Sequence, residues 1–175
     1  MKKHILIVLF ILALIIVVSG CTNQKQNSYS SNGISFNYPN NWKEISNVQT
    51  PNAIVGVGDP DSVDNSTGKV TTLVLVQKVA LPSGSTLKQF YDTTYTQFAQ
   101  DPSFKTISDT TTTVDGTTAY IKTYTANVNG VQKEEKAVWL EKNGNIYIIL
   151  CGTLPPLFDS QQANFNMIIN SFNVQ

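Results

Sequence analysis

The side chains that most often carry out protein chemistry are scarce in this chain. Its single histidine is His4, its two cysteines are Cys21 and Cys151, and it contains no arginine. His4 lies within the first 20 residues, which are predicted below to be a signal peptide, so the mature domain would have no imidazole. Serine and cysteine nucleophiles there lack their usual general base, and zinc lacks a common nitrogen ligand. The composition therefore excludes the common hydrolase triads and predicts that the protein is not an enzyme.

One loop gathers oxygen ligands of the kind that calcium prefers. Asp59, Asp61 and Asp64 precede Asn65 in it, but the third aspartate comes one position late for an EF-hand loop and no glutamate follows in register. The alternative is an exposed loop in which Asp and Asn stabilise turns. We predict no metal or other cofactor, with these three aspartates as the only candidate ligands. Asn65 also begins a formal N-glycosylation sequon, Asn65-Ser66-Thr67.

The other acidic residues do not form an evident catalytic pair. Glu134 and Glu135 are consecutive in a predicted strand, so they point to opposite faces, whereas glycoside hydrolysis needs carboxyl groups that face each other across about 5 to 9 Å. With Lys133 and Lys136 beside them, they predict a solvated, salt-bridged surface. Glu44, near Trp42, is the remaining acidic candidate for such a pair.

The first 21 residues predict where the protein is located. Lys2 and Lys3 precede fourteen apolar residues, 5–18, and Ser19-Gly20-Cys21 follows. This order is typical of a secretory signal that ends in a lipobox, where Cys21 is acylated and becomes the first residue of the mature protein. At about 1.5 Å per residue the apolar segment covers roughly 21 Å, less than the hydrocarbon core of about 30 Å. An uncleaved anchor helix is the alternative, and both place the remaining chain on the extracytoplasmic face of the membrane.

Charge and cysteine content limit the partners and the stabilising bonds. Without Lys2 and Lys3, ten lysines remain of twelve, against twelve acidic residues. Ten scattered lysines without arginine do not make a nucleic-acid interface, so we predict no nucleic-acid partner. Cys151 would be the only free thiol, and its apolar neighbours predict a small buried residue rather than a nucleophile.

The chain divides into three parts by composition. Residues 1–20 are the predicted signal peptide. Residues 21–32 are predicted to be the lipidated cysteine and a flexible polar tether, because 22–32 show no apolar periodicity. Residues 33–175 are predicted to form a single globular domain.

Hydrophobic periodicity predicts an α+β domain. Strands are predicted at 33–38, 53–58 and 70–79, followed by a helix with Ser85 as N-cap that ends near residue 101. Leu87, Phe90, Tyr91, Tyr95 and Phe98 fall on one stripe of this helix. A second amphipathic helix is predicted to end near Ser171.

Three two-residue turns organise the second half of the chain. Asp115-Gly116, Asn129-Gly130 and Asn143-Gly144 are sequences that favour type I′ hairpin turns. They predict a meander of four antiparallel strands, 106–114, 117–128, 131–142 and 145–151. The last strand is apolar on both faces, so the central antiparallel sheet is predicted to be covered by helices on both sides.

The order of elements and several short motifs resemble the PsbP-like family, and in particular its prokaryotic lipoproteins. The resemblance rests on residues 33–39 with Trp42, the apolar strand 146–149 and the closing segment 168–172, and it covers residues 33–174. It implies an α/β/α sandwich that serves binding rather than catalysis: plant members are extrinsic subunits of photosystem II, and a related eukaryotic protein binds Ran. The histidines implicated in metal binding in plant members have no counterpart here.

Two functions are compatible with these features. The first is a non-catalytic binding or accessory module, attached to the membrane by its lipid anchor, whose partner is an envelope protein. The second is a lipoprotein that binds a small ligand in a pocket between the sheet and the first helix, with Tyr91, Tyr95 and Trp139 as candidate lining residues. A docking module should expose apolar side chains, whereas a ligand binder should enclose an apolar cavity.

Overall fold

The computed structural model describes residues 25–46, 48–65 and 67–175, so the predicted leader and Cys21 lie outside the described residues. The elements are β1 (Gln26–Ser31), β2 (Ile34–Pro39), β3 (Lys43–Glu44), β4 (Ala53–Gly58), β5 (Val63–Asp64), β6 (Lys69–Val70), β7 (Leu73–Ala80), α1 (Leu87–Phe98), β8 (Lys105–Val114), β9 (Thr117–Val128), β10 (Val131–Lys142), β11 (Asn145–Thr153), α2 (Phe158–Ser171) and β12 (Asn173–Val174). Neither helix in the described part of the chain is long and apolar enough to cross a membrane.

A seven-stranded antiparallel sheet forms the centre of the fold, with the order β3-β4-β7-β11-β10-β9-β8. Strands β8 to β11 are neighbours in chain order, each paired with the next in antiparallel register. The connecting turns have positive φ at Asp115, Asn129 and Asn143 and at the glycine that follows each. Both central residues of a type I′ turn need this conformation, which explains the Asp-Gly and Asn-Gly sequences.

The two faces of the large sheet are covered differently. On one face, α1 packs on β9, β10 and β11 through Leu87, Tyr91 and Tyr95. On the other face, α2 packs together with a smaller sheet of order β1-β2-β12. The predicted cover of helices alone is therefore incomplete, because this second sheet supplies a large part of one layer.

The first strand corrects the predicted start of the folded unit. Residues 26–31, assigned to the flexible tether, pair with β2 along their whole length as β1. Tyr29 is buried and stacks on Phe36, with ring centroids 5.2 Å apart. One buried aromatic ring in a polar segment is enough to fix the strand on the core, so the folded part begins at least as early as Gln26.

Two helix boundaries also differ from the prediction. The N-cap of α1 is Thr86 rather than Ser85, because the Thr86 hydroxyl accepts from the Gln89 N–H while the Gln89 side chain accepts from the Thr86 N–H. The helix ends at Phe98, a few residues before the predicted end near 101.

Candidate functional site

The three candidate ligand-binding aromatics meet between α1 and the sheet. Tyr91 and Tyr95 come from α1 and Trp139 from β10, and all three are buried. The ring centroids of Tyr91 and Tyr95 lie 5.7 and 5.8 Å from that of Trp139. Such edge-to-face packing fills the space between helix and sheet with aromatic rings. The arrangement makes these residues part of the core of this face.

The polar atoms of these aromatics are bonded within the protein. The Trp139 Nε1–H donates to Tyr95 Oη at 3.0 Å, and the Tyr91 hydroxyl donates to Asp109 Oδ1 at 2.8 Å. Burial, followed by the bond to Asp109, raises the pKa of the Tyr91 hydroxyl, and burial raises that of Tyr95. Both hydroxyls therefore stay protonated at neutral pH and act as neutral hydrogen-bonding groups.

A buried lysine completes the polar edge of the cluster. The Lys122 ammonium forms an ion pair with Asp109 and lies 5.0 Å from the ring centroid of Tyr95 and 5.5 Å from that of Tyr91. Burial alone would raise the pKa of Asp109, but the bonds from Lys122 and Tyr91 hold it below its ordinary value. The carboxylate and the ammonium thus neutralise each other at the rim of the aromatic cluster.

An open depression of about 420 Å³ lies beside this rim. It is lined by Tyr91, Asp92, Tyr95, Thr96, Ala99, Gln100 and Lys122. Trp139, the third candidate, is not among the lining residues, since its indole is covered by the tyrosines. The depression could accept a small polar group from solvent, whereas the aromatic core beneath it is filled by side chains.

The acidic pair on β10 lies in one strand, where consecutive residues point to opposite faces as expected, but it is less exposed than the sequence predicts. Glu135 faces the α1 side, half-buried, where its carboxylate accepts a hydrogen bond of 2.6 Å from the Tyr124 hydroxyl. The Lys133 ammonium donates to the Thr71 carbonyl, and the Lys136 ammonium to the Gln162 side chain. The prediction of a solvated, salt-bridged surface was wrong, because β10 is an inner strand covered on both faces at this point.

Burial governs the ionisation of these groups. It raises the pKa of Glu135, an effect that the Tyr124 hydrogen bond and the charge of Lys133 only partly offset. Burial also lowers the pKa of Lys133 and of Lys136. Perturbed groups of this kind often mark functional sites, although structural networks give the same signature.

The predicted metal-ligand loop uses its carboxylates for local turns. Asp59 Oδ1 accepts from the Asp61 N–H at 3.1 Å, which caps a 3₁₀ turn, and Asp64 Oδ1 accepts from the Thr67 N–H at 3.0 Å. Within the described part of the chain, no group of three or more Asp, Glu, His or Cys is placed to hold a metal ion. Asn65 is exposed in the turn between β5 and β6.

The remaining candidate residues have simple environments. Cys151 is fully buried in the core on the α2 side, and burial raises the pKa of its thiol to about 12, as suits a small apolar core residue. Glu44 is exposed on β3. Cys21 lies outside the described residues, so its lipidation stays a prediction.

One row of residues, each paired with the next across neighbouring strands, divides the large sheet into two ends. Across the sheet this row consists of Lys43, Gly58, Leu73, Gly152, Glu135, Tyr124 and Thr106. Beyond it lie residues 40–42, 59–65, 67–72, 101–105, 125–134 and 153–157, together with Lys25, whose carbonyl accepts from the Asn40 N–H. We call these segments the Lys25 end. The opposite Ser83 end comprises residues 82–85, 115–116 and 143–144, where the Leu81 N–H donates to the Gly144 carbonyl.

Exposed apolar side chains are distributed unevenly between these two ends. Val63, Val128 and Leu157 belong to the Lys25 end, each with about two-fifths of its surface exposed (42%, 37% and 42%). Phe98 is exposed at the last residue of α1, beside Phe104 of the same end, and Ile107 follows the row residue Thr106. Among the described residues, none of the large exposed apolar side chains lies at the Ser83 end. Sequence reasoning missed this surface, because its members are separated widely along the chain.

Comparison with known proteins supports the resemblance seen in the sequence. The profile of a family described as "PsbP-like protein" matches residues 17–174. Among curated protein sequences no match was found.

Several solved structures share the fold. The cyanobacterial PsbP, CyanoP, of Synechocystis sp. PCC 6803 is 20% identical, with a TM-score of 0.62 over 89% of this chain and 96% of that chain. LpqN of Mycobacterium tuberculosis, which is involved in cell envelope biogenesis, is 13% identical, with a TM-score of 0.61 over 86% and 92%. The Saccharomyces cerevisiae Ran-binding protein Mog1p is 11% identical, with a TM-score of 0.56 over 86% and 96%. At these identities the likeness concerns the fold.

Proposed function

The chain belongs to the PsbP-like protein family, and from this premise we propose that it is a non-catalytic binding or accessory module of the cell envelope. In this proposal Cys21 carries the lipid that attaches the module to the extracytoplasmic face of the membrane. Its partner is an envelope protein that the module reaches from that position.

The observation that carries the proposal is the short distance along the chain between Cys21 and the fold. The Lys25 carbonyl is already bonded to the Asn40 N–H, and β1 begins at Gln26. Only three residues separate Cys21 from Lys25. A lipid on Cys21 would hold the whole domain next to the bilayer, which is the arrangement that a membrane-attached accessory module requires.

The candidate site favours binding over catalysis. Asp109 is occupied by Lys122 and Tyr91, and the Glu135 carboxylate by the Tyr124 hydroxyl. Both carboxylates already have partners within the protein, which favours a structural role over proton transfer to a substrate. Two proteins of the same fold are described by binding or envelope roles, Mog1p as Ran-binding and LpqN as involved in cell envelope biogenesis, and this precedent supports the same class of function here.

Substitution of the predicted lipid attachment site tests the proposal. We expect Cys21→Ala to leave the thermal unfolding of the domain unchanged, because residue 21 precedes β1, but to release the protein from membranes or leave it as an uncleaved precursor. Fractionation, with the mass of the mature N-terminal peptide, measures both effects, and Ser19→Ala, which keeps a small residue before the cysteine, is the matched control. A Cys21→Ala protein that matures and stays anchored would contradict the proposal.

A second function is favoured by the depression beside Lys122. Its volume of about 420 Å³ falls within the usual range for small-ligand sites, and the exposed polar side chains of Asp92, Thr96 and Gln100 in its lining would suit a small polar ligand. Mass spectrometry of small molecules that co-purify with the protein tests this function. Thr96→Trp, which would fill the depression, should abolish any such co-purification.

A further inference from the structure

We infer that the Lys25 end is a membrane-contacting surface that rests on the lipid bilayer itself. The inference deepens the proposed function and depends on the attachment at Cys21. It adds an orientation and a second contact: the Lys25 end faces the headgroups and the Ser83 end points away from them.

The covalent length of the chain limits where the bilayer can lie. Four Cα–Cα steps separate Cys21 from Lys25, so these two Cα atoms are at most about 15 Å apart whatever the conformation between them. Strand β9, by contrast, has 12 residues and spans about 40 Å between the two ends of the sheet. A lipid on Cys21 therefore keeps the Lys25 end close to the membrane surface, whereas no such link holds the Ser83 end there. The side chains that each end offers to the bilayer then decide the tilt of the domain.

The apolar side chains are placed as this orientation requires. Val63 begins the short strand β5, Leu157 immediately precedes α2, and Val128 ends β9 at the β9–β10 hairpin, so the three side chains come from separate segments of the Lys25 end. Full burial of one such side chain is worth roughly 1.5–3 kcal/mol, and these are already partly covered. The summed free energy of burying these three side chains is too small to hold a free protein on a membrane. It suffices to orient a protein that a lipid keeps at high local concentration.

The charges of the Lys25 end point to an apolar contact rather than attraction to anionic lipids. Its exposed lysines are interspersed with acidic residues, so neither sign dominates. The exposed lysines are Lys25, Lys43, Lys69 and Lys105, and the exposed acids nearby are Glu44, Asp61, Asp101 and Asp159. A surface of mixed charge gains little from a negative lipid surface, so the contact should form equally on zwitterionic and on anionic bilayers.

Site-specific fluorescence quenching tests the inference on the full, lipidated protein. Val63→Cys and Ser83→Cys, both at exposed positions, are each labelled with an environment-sensitive fluorophore, since Cys151 is buried and Cys21 would be blocked by its lipid. The proteins are reconstituted into phosphatidylcholine vesicles that carry a nitroxide on the headgroup. An interfacial side chain lies within about 5–10 Å of the headgroup boundary and the Ser83 end about 40 Å away, so we expect at least about threefold stronger quenching at position 63. Leu157→Cys provides a second position at the Lys25 end if Val63→Cys does not fold.

Vesicle flotation in the same samples separates this inference from the proposed function. Flotation with stronger quenching at position 63 than at position 83 supports both. Flotation with equal quenching overturns the membrane-contacting surface and leaves the lipid attachment standing. Absence of flotation overturns both. Quenching at position 63 that appears only when phosphatidylglycerol is added would show an electrostatic contact and overturn the apolar one.

Discussion

The aromatic cluster under α1 depends on one hydrogen bond between buried side chains. Trp139 donates its Nε1–H to Tyr95 Oη, and both side chains are excluded from solvent. A buried N–H that loses its acceptor cannot bond to water instead. Loss of this acceptor therefore lowers the free energy of unfolding by more than the net contribution of an ordinary hydrogen bond.

Removal of the Tyr95 hydroxyl should destabilise the domain. We expect Tyr95→Phe to lower the free energy of unfolding by about 1–3 kcal/mol, because the Trp139 Nε1–H is left buried without an acceptor. Chemical denaturation followed by tryptophan fluorescence measures the change. Tyr120→Phe, on a half-buried ring that lies 5.3 Å from Tyr91, is the matched control and should change stability by less than about 0.5 kcal/mol. Equal effects of the two substitutions would show that the bond contributes nothing specific.

Glu135 should make stability depend on pH in the opposite sense to a salt-bridged carboxylate. Burial raises its pKa in the folded state, so the folded protein holds the proton more tightly than the unfolded chain does. The stability from this group is fully present below the unfolded pKa and is lost as pH rises through the folded pKa. Glu135→Gln should therefore be more stable than the wild type at pH 7, and the advantage should disappear at low pH.

Thermal unfolding across the acid range measures this difference. Glu44→Gln, on the exposed strand β3, is the matched control and should show no comparable trend. A Glu135→Gln protein that loses stability at pH 7 would indicate that the bond from Tyr124 needs the ionised carboxylate and outweighs its burial.

At the scale of elements, strand β1 forms one edge of the smaller sheet. It pairs with β2, buries Tyr29 against Phe36, and lies on the face that α2 covers. A chain that begins at Asn32 lacks this strand, and we expect it to be less stable than one that begins at Lys25 by at least about 3–5 kcal/mol, the usual cost of deleting a buried aromatic side chain. Tyr29→Ala in the longer chain separates the side-chain contribution from that of the backbone pairing. Equal stability of the two chains would mean that β1 contributes no net stability.

The elements predicted correctly from the sequence are those specified by local chemistry. The ends of β9 and β10 fall at the predicted residues because Asp-Gly and Asn-Gly fix the turns, and β4 is as predicted. Strand β1 was missed because Gln26–Ser31 is polar apart from one tyrosine, and its stability comes from a partner strand. The burial of Glu135 was missed for the same kind of reason: its charged neighbours suggest an exposed strand, whereas the sheet order places β10 inside. The surface at the Lys25 end arises only when distant loops come together, which no local pattern reveals.

At the scale of the whole molecule, the position of the proposed anchor at Cys21 and the placement of apolar side chains support the same orientation. With the Lys25 end on the bilayer, the long edge strand β8 and the Ser83 end are left for other partners. A partner would then meet the module within about 55 Å of the membrane surface, the sum of the tether and the length of the sheet. This geometry suits an accessory role at a membrane complex.

Lengthening the tether should separate attachment from orientation. We expect an insertion of twenty Gly/Ser residues between Gln24 and Lys25 to leave flotation with vesicles unchanged but to bring the quenching at position 63 down towards that at position 83. Such an insert has a root-mean-square length of about 25 Å, and the effective concentration of the domain at the bilayer falls steeply with length. The same insert added after Gln175 is the matched control and should change neither measurement. If quenching at position 63 survives the longer tether, the apolar side chains of the Lys25 end must bind the bilayer more strongly than their exposed area allows, and a short tether would not be what orients the protein.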